Sequence, residues 1–594
     1  MNCPSRTEEP EGTGYNQNPS SLAADLTTRQ DLNGIANMRV LRRIATGDIE
    51  SVVEHVPDDD VKKNEAAAMP KKALTSDSHV GGDLSSFEAV DLNEDGRGAG
   101  GEGGSNRTST ELFKQLRKVV LKFGKFVGPG FMISVAYIDP GNYSTDVAAG
   151  ASFRFRLLFI VLMSNLFAIF LQSLCIKLGS VSGLNLAEAC KEFLPKWLNI
   201  MLYIMAEVAI IATDIAEVIG TAIAINLLIP KIPLIAGCAI SIVDVLLILL
   251  FYHPNGSMKG LRAFEMFVVA LVLGVVICFC IQLSLIKDTS VGEVFRGYLP
   301  SSAIVQSEGL YQACGILGAT VMPHSLYLGS GIVQSRLQEY DINAGNVAAS
   351  VRSTDSEKLP YYPSLGAINF CLKYSIAELA ISLFTFALFV NSAILIVAGA
   401  SLSSDSSATS ADLFGIYHLL STSIAPVAGT VFALALLLSG VSAGIVCTIA
   451  GQMVSEGALN WSLAPWLRRL VTRSISITPS IIIAGAVGRD GLSAALNGSQ
   501  VALSVVLPFV SAPLIYFTCR NKYMTVRTSE SGDHDGGDEE TMDGNVDGVV
   551  DRPQQGGVKM RNHWVVAALA VVIWLVITIM NVANLVLLGK GEGA

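Results

Sequence analysis

Charged residues are scarce in this chain: Asp, Glu, Lys and Arg make up only 15% of its 594 residues, against roughly 25% in soluble domains. The ten cysteines are scattered without a CxxC pair, which argues against a zinc site or a disulfide framework. The sequence contains no nucleotide-binding loop, nucleophile elbow or metalloprotease motif, so an enzyme is the least expected class. Hydrophobic residues, in contrast, reach 51%. This composition predicts a polytopic integral membrane protein.

The net negative charge of the chain comes from two stretches. Residues 1–110 carry a net charge of −8 and no sustained periodicity, which predicts a disordered cytoplasmic tail. No apolar run lies near Met1, so no cleaved signal peptide is expected. Residues 111–519 are predicted to form a transporter core, residues 520–562, with net charge −3, an acidic disordered loop, and residues 563–594 a last span and short C-terminus.

Hydropathy predicts an all-α protein with eleven membrane-spanning segments. The segments are 126–149, 154–179, 197–228, 233–252, 262–287, 308–336, 369–400, 424–456, 470–488, 493–519 and 563–588. Lys and Arg cluster just before the first segment and in alternate short loops, which places the N-terminus in the cytoplasm.

Two of these segments are interrupted near their centres. Asp139, Pro140, Gly141 and Asn142 interrupt the first, and Met322-Pro323-His324 interrupts the sixth. Non-helical backbone at membrane depth is tolerated only where protein or a water-filled cavity surrounds it. The alternative for the first segment alone is a kinked helix whose Asp is neutralised by a neighbour. Two interruptions five segments apart favour an inverted-repeat transporter, five helices plus five plus one, with its binding site at the midplane.

The residues at the interruptions offer metal ligands. Asp139 and Asn142 supply side-chain oxygens, and unwound backbone would free the carbonyls of Ala136 and Ala319. Oxygen ligands alone suit Mg²⁺, Ca²⁺ or Mn²⁺, whereas the thioether of Met322 would favour later transition metals. A Met on an apolar helix is also a common core-filling residue, and the two interpretations of Met322 are about equally supported.

The third segment carries a stripe of carboxylates. Glu207, Asp214 and Glu217 stand at positions i, i+7 and i+10, on one side of a helix. Carboxylates inside a membrane mark ion pathways or proton relays by default. The alternative is a static ion pair with Arg336 or Arg473, and three acids against two cations favour the relay.

Three motifs carry a resemblance to a known family. DPGN at 139–142, ATDIAEVIG at 212–220 and ATVMPH at 319–324 resemble the signature segments of the natural resistance-associated macrophage proteins, which are proton-coupled divalent metal transporters of the leucine-transporter-type fold. The segments MPHSLYLGSGIVQSR and SAGIVCTIAGQMVSEG are most similar to the fungal branch.

The resemblance implies eleven helices, of which the first and sixth are broken, and symport of Mn²⁺ or Fe²⁺ with protons toward the cytoplasm, without a resident cofactor. It implies metal ligation by the residues matching Asp139, Asn142 and Met322 with the carbonyls of Ala136 and Ala319, and an approach of Gln500 to the metal in some conformations. His324 joins the candidates for proton handling. The chain departs from many relatives at Gly329, where they have a second histidine, and at Val441, where they have glutamine.

Two other functions remain open at this point. One is a sodium-coupled transporter of an organic solute with the same architecture, which the Asp, Asn and Met set disfavours. The other is a transporter-like metal sensor, which would need a folded effector domain. The expected partners are divalent cations, protons and the lipid bilayer, not nucleic acid, and the expected location is the plasma membrane or an endosomal or vacuolar membrane.

Overall fold

The structure, a computed structural model, describes residues 128–243, 258–286, 289–346, 361–401, 413–459, 465–527 and 557–590. These residues all belong to one compact unit. The predicted N-terminal tail, residues 1–110, lies outside the described residues.

The described chain is almost entirely helical. Its first half comprises α1 Pro129–Val135, α2 Pro140–Phe153, α3 Leu158–Ser182, α4 Leu186–Phe193, α5 Lys196–Leu228, α6 Leu234–Ile240, α7 Met258–Ser284, α8 Val291–Arg296, a 3₁₀ turn Ser302–Val305, α9 Ser307–Thr320, α10 Pro323–Ile332 and α11 Gln334–Asn343. Its second half comprises α12 Leu365–Ser382, a π-helical turn Leu383–Ala387, α13 Leu388–Ser401, α14 Leu413–Ser423, α15 Pro426–Leu459, α16 Pro465–Ala486, α17 Arg489–Thr518, β1 Thr525–Arg527, β2 Gly557–Lys559 and α18 Trp564–Lys590.

Eight helical stretches of the described chain are long and apolar enough to cross a membrane. Three of the eleven predicted segments are not among them. The first is divided between α1 and α2, the fourth is described only through α6, and the ninth corresponds to α16, whose arginines lower its mean hydropathy. The count of eleven is therefore not established by helix length alone.

Local sequence signals explain where several helices begin and end. Asp139 caps α2, because its side chain accepts a hydrogen bond from the Asn142 amide, and Pro140 occupies the first helical position. Pro323 opens α10 in the same way. The helix α3 ends at Gly183, whose φ of 71° suits glycine better than any residue with a Cβ.

The two interrupted segments lie in the interior of the helix bundle. The long helix α5 packs against α15, α16 and α17, while α2 packs against α13 and α9. At Gly220 of α5 a Cβ would overlap the ring of Pro140, so glycine is what lets α5 approach the first interruption. The candidate site is consequently surrounded by protein.

The predicted loop 520–562 is described only at its two ends. There β1 and β2 pair antiparallel, with Val526 opposite Val558, and the amide of Met560 donates to the carbonyl of Met524. This pairing brings the end of α17 next to the start of α18.

Candidate metal site and carboxylate cluster

At each interruption a proline leaves one backbone carbonyl without its helical hydrogen-bond donor. The helix α1 ends at Val135 and α2 begins at Pro140, while α9 ends at Thr320 and α10 begins at Pro323. Pro140 and Pro323 stand four residues after Ala136 and Ala319, and a proline has no N–H to donate to a carbonyl four positions earlier. The carbonyls of Ala136 and Ala319 therefore lose the partner that a continuous helix would supply.

Asp139 has one satisfied and one unsatisfied carboxylate oxygen. Its Oδ1 accepts from the Asn142 amide at 3.0 Å and from Asn142 Nδ2 at 2.9 Å. Its Oδ2 is buried and has no hydrogen-bond partner in the described part of the chain. A buried carboxylate oxygen without a partner is costly, so this atom is well suited to ligate a cation.

Asn142 connects the two interruptions. Its Nδ2 also donates to the Tyr137 carbonyl at 3.0 Å, which orients its Oδ1 away from Asp139. Thr320 Oγ1, at the end of α9, lies 3.5 Å from that Oδ1. The amide oxygen of Asn142 is thus presented between the two interrupted segments.

A second polar contact between the interruptions involves Gln172 of α3. Gln172 Nε2 donates to Tyr137 Oη at 2.9 Å and to the Ser325 carbonyl at 2.8 Å, and Tyr137 Oη lies 3.0 Å from Ser325 Oγ. Sequence reasoning missed Gln172, Tyr137 and Ser325. A buried Gln in an apolar span was the available signal for the first of them.

Gln172 also explains one departure from the family pattern. A Cβ at Gly329 would overlap Gln172 Oε1 and lie 3.4 Å from the Cβ of Cys175. Any side chain at this position would therefore require Gln172 to move. Val441, the other departure, packs against the hydrophobic core.

Gln500 of α17 lies against the first interruption. A Cβ on Gly141 would overlap the Gln500 amide group, and Gln500 Oε1 is buried with no hydrogen-bond partner among the described residues. The contact agrees with the predicted approach of Gln500 to the site, although ligation by it stays a prediction.

All six predicted metal-site residues are buried. Asp139, Asn142, Met322 and Ala319 have no exposed surface, Gln500 is 1% exposed and Ala136 2%. Met322 caps α10, and its carbonyl accepts from Ser325 Oγ at 2.7 Å. The site is closed to solvent.

The carboxylate stripe meets one of the two candidate arginines. Arg473 Nη1 of α16 lies 2.5 Å from Asp214 Oδ1 and 3.2 Å from Glu217 Oε2, with all three side chains at most 3% exposed. The thiol of Cys447 lies within 4.8 Å of both carboxylates. Sequence reasoning named Arg473, with Arg336, as a possible ion-pair partner of the stripe, and it missed Cys447.

His324 and Glu207, two further predicted residues, lie near the cluster or on the same helix. His324 Nδ1 lies 3.3 Å from Oγ1 of Thr213, the residue before Asp214, so the second interruption contacts α5 beside the cluster. Glu207 has a buried Oε1 with no hydrogen-bond partner in the described chain.

Arg336 forms a different ion pair. Its Nη1 lies 2.6 Å from Oε2 of Glu378, whose side chain is fully buried, and Glu378 Oε1 accepts from the amides of Gly128 and Gly130 at 2.8 Å and 3.2 Å. Of the two arginines considered for the stripe, the structure therefore joins Arg473 to it and pairs Arg336 with Glu378 of α12.

Comparison with known proteins gives a consistent set of relatives. The sequence matches the family described as "Natural resistance-associated macrophage protein-like" over residues 130–531. It is 52% identical over 507 residues to the manganese transporter SMF1 of Saccharomyces cerevisiae, covering 80% of this chain and 88% of that one. The iron transporter SMF3 of the same yeast is 54% identical over 412 residues, with 69% and 84% covered.

Solved structures agree with the sequence comparison. A crystal structure of a mutant manganese transporter from Eremococcus coleocola superimposes with a TM-score of 0.61 and 31% sequence identity, covering 77% of this chain and 85% of that one.

Proposed function

The chain belongs to the natural resistance-associated macrophage protein family, and from that premise we propose that it carries divalent transition metals, Mn²⁺ and Fe²⁺ above all, into the cytoplasm together with protons. Membership confirms the family predicted from the motifs, and it identifies a multi-pass membrane transporter rather than an enzyme. Relatives named as manganese and iron transporters support the choice of metals.

The observation that carries the proposal is the unpartnered Oδ2 of Asp139 in a closed, buried site. A divalent cation would provide its missing partner, and the Asn142 oxygen and the carbonyls of Ala136 and Ala319 would complete an oxygen-rich shell. Met322 and Gln500 are the further proposed ligands. A thioether in that shell would favour transition metals over Ca²⁺ and Mg²⁺.

The proposed architecture has eleven membrane helices in an arrangement of five plus five plus one. The α1/α2 and α9/α10 pairs form the broken first and sixth helices, with the metal at the midplane between them. The N-terminus faces the cytoplasm, as the distribution of Lys and Arg indicates.

Protons would travel through the Asp214, Glu217 and Arg473 cluster. Two ionised carboxylates beside one guanidinium leave a net charge of −1 in a buried place, and a proton on either acid neutralises it. A static pair would need only one acid. His324, which contacts Thr213, is the proposed link from this cluster toward the metal, and Glu207 is the proposed link toward the membrane surface. Arg336 is a weaker candidate for the proton pathway, because it already pairs with Glu378.

A flux assay on proteoliposomes tests the metal site. We expect Asp139→Ala to abolish Mn²⁺ uptake, because it removes the anionic ligand, without lowering the yield of folded protein. Glu293→Gln is the matched control, since it also removes one carboxylate, but from an exposed ion pair with Arg154. Wild-type uptake by Asp139→Ala would refute the site.

The same preparation separates the alternatives. Uptake of an amino acid driven by a sodium gradient, with no Mn²⁺ flux, would favour an organic solute transporter. Mn²⁺ binding without any flux would favour a metal sensor.

A further inference from the structure

A groove of about 790 Å³ runs along the outside of the bundle between α17, α18 and the start of α5. Its walls are almost wholly apolar and include Leu198 of α5, Val505 and Phe509 of α17, and Leu585 of α18. Its volume falls within the roughly 300–1,000 Å³ typical of small-molecule sites. Exposed apolar residues are ordinary on a membrane helix, but a concavity of this size is not needed for contact with bulk lipid.

The groove is built by two local features. Pro508 and Pro513 lie inside α17 and interrupt its hydrogen-bonded ladder. Trp574 of α18 donates from Nε1 to the Pro508 carbonyl at 2.8 Å, and Ser504 bonds to Asn581 nearby. These contacts join α17 to α18 along the groove.

The length of the groove matches one leaflet. On α17 it extends from Val505 to Tyr516, which is about 17 Å at 1.5 Å per residue. The hydrocarbon core of a bilayer is about 30 Å thick, so half of it is comparable in length. An acyl chain from a single leaflet therefore fits the groove along its axis.

One end of the groove is aromatic and positively charged. The guanidinium of Arg520 stacks on the Tyr516 ring at 4.6 Å, and the Lys522 ammonium lies 5.9 Å from the Tyr523 ring centre. Tyr516 and Tyr523 are in ring contact at 5.7 Å. Within the described residues neither Arg520 nor Lys522 forms a salt bridge, so both cations can accept an anionic group.

From this juxtaposition we propose that the groove binds one anionic glycerophospholipid, with an acyl chain between α17 and α18 and the headgroup phosphate against Arg520 and Lys522. The charge distribution of the chain assigns this end to the cytoplasmic side, where anionic lipids concentrate. A neutral sterol would leave both cations without a partner. The proposal is independent of which ion the protein transports.

Native mass spectrometry of the purified full-length protein tests the proposal. The probes are phosphatidylserine and phosphatidylcholine with identical acyl chains, added at increasing concentration. The wild-type protein is expected to retain one phosphatidylserine in preference to phosphatidylcholine. Each basic residue near a lipid headgroup contributes about a five-fold preference for an anionic lipid, so Arg520→Gln with Lys522→Gln is expected to weaken phosphatidylserine binding about thirty-fold. Phosphatidylcholine binding is expected to weaken less, because its choline cation offsets the phosphate charge, so the preference for phosphatidylserine is lost.

Two further variants show where the lipid binds. Lys231→Gln with Arg296→Gln is the control, because it removes two exposed positive charges from the side of the membrane opposite to Arg520 and Lys522. This variant should bind phosphatidylserine as the wild-type protein does. Ala512→Trp fills the groove from α17, and Val582→Trp fills it from a position on α18 that is 56% exposed and therefore tolerant of substitution. Both are expected to abolish retention of either lipid.

Three results would each overturn the proposal. The first is equal phosphatidylserine binding by wild type and the Arg520/Lys522 variant. The second is equal retention of phosphatidylcholine or a sterol by the wild-type protein. The third is full retention of phosphatidylserine by both tryptophan variants, which would mean that the headgroup is attracted to the surface and the groove stays free of acyl chain.

Discussion

At the scale of single residues, the proposed metal site consists of atoms that the fold leaves without partners. Pro140 and Pro323 remove the donors that would otherwise satisfy the carbonyls of Ala136 and Ala319, and Asn142 uses only one oxygen of Asp139. Such unpaired buried groups are normally avoided. Here they are concentrated between two helix ends, which is what a site that binds and releases a cation requires.

The sulfur of Met322 is predicted to decide selectivity. Met322→Leu keeps the side-chain volume and removes the soft ligand, so it should disturb folding little. We expect the ratio of Cd²⁺ to Ca²⁺ uptake to fall about tenfold, equivalent to ~1.4 kcal/mol. Met132→Leu is the control, because Met132 is equally buried, on α1. An unchanged ratio would show that Met322 is a packing residue.

Gly329 is predicted to be required by its contact with Gln172. Gly329→Ala places a Cβ against Gln172 Oε1, and such overpacking costs about 1–3 kcal/mol. The variant should therefore unfold at a lower temperature in a detergent melting assay. Gly498→Ala has nothing within 4 Å of the new Cβ and should be neutral or slightly stabilising. Gln172→Ala loses buried hydrogen bonds and is destabilising by itself, but in that background Gly329→Ala should cost less stability than it does in the wild-type protein. Equal melting of the Gly329→Ala and Gly498→Ala variants would refute the clash.

At the scale of helices, α1 is a seven-residue element held at its start by one carboxylate. Glu378 of α12 accepts hydrogen bonds from Gly128 and Gly130 and pairs with Arg336. Both glycines are necessary there, because a Cβ on Gly128 would overlap Glu265 and one on Gly130 would come 2.9 Å from Glu378. Glu378 thus joins α1 to α12 and, through Arg336, to α11.

Glu378→Gln is predicted to loosen α1. The substitution removes the charge that pairs with Arg336 and weakens the bonds to the two amides, and hydrogen bonds to a charged group are worth about 1.5–3 kcal/mol. Amide hydrogen exchange should therefore quicken over residues 128–135 and stay unchanged over Leu158–Ser182. Glu339→Gln, which breaks a more exposed ion pair with Arg262, should leave both segments unchanged. Identical exchange in the Glu378 and Glu339 variants would rule out this role of Glu378.

The breaks themselves were predictable because Asp139, two prolines and His324 stand out in apolar runs. Which arginine pairs with the carboxylate stripe could not be predicted, because it depends on which helices pack together. Arg473 and Arg336 look alike in sequence, and only the packing of α16 against α5 distinguishes them. Gln172 and Cys447 gave weak signals because a single polar or thiol side chain in a span has many structural explanations. The groove between α17 and α18 depends on the contact of segments far apart in sequence.

At the scale of the whole molecule, the proposed metal site and the carboxylate cluster are separate but adjacent. The contact between His324 and Thr213 joins the second interruption to α5, and Gln172 joins α3 to both interruptions. A metal bound at Asp139 would thus act on helix ends whose side chains reach the cluster. This arrangement permits coupling of metal and proton movement without a shared ligand.

Asp214→Asn is predicted to separate proton movement from metal movement. Asparagine keeps the shape and hydrogen-bonding capacity of Asp214 but cannot ionise, so Arg473 then balances Glu217 alone. A proton added to Glu217 would leave the buried cluster with an uncompensated charge of +1, which is unfavourable. Metal binding depends on other residues, and Mn²⁺ entry can continue under a membrane potential that supplies about 2.3 kcal/mol per charge per 100 mV. Mn²⁺ entry and internal pH are measured together in proteoliposomes, with Glu293→Gln as the control that loses an exposed carboxylate. Acidification should fall below about a tenth of the wild-type value, a loss of at least ~1.4 kcal/mol, while Mn²⁺ entry persists. Wild-type acidification in the Asn variant would exclude Asp214, and Glu207, Glu217 and His324 would then be tested in the same way.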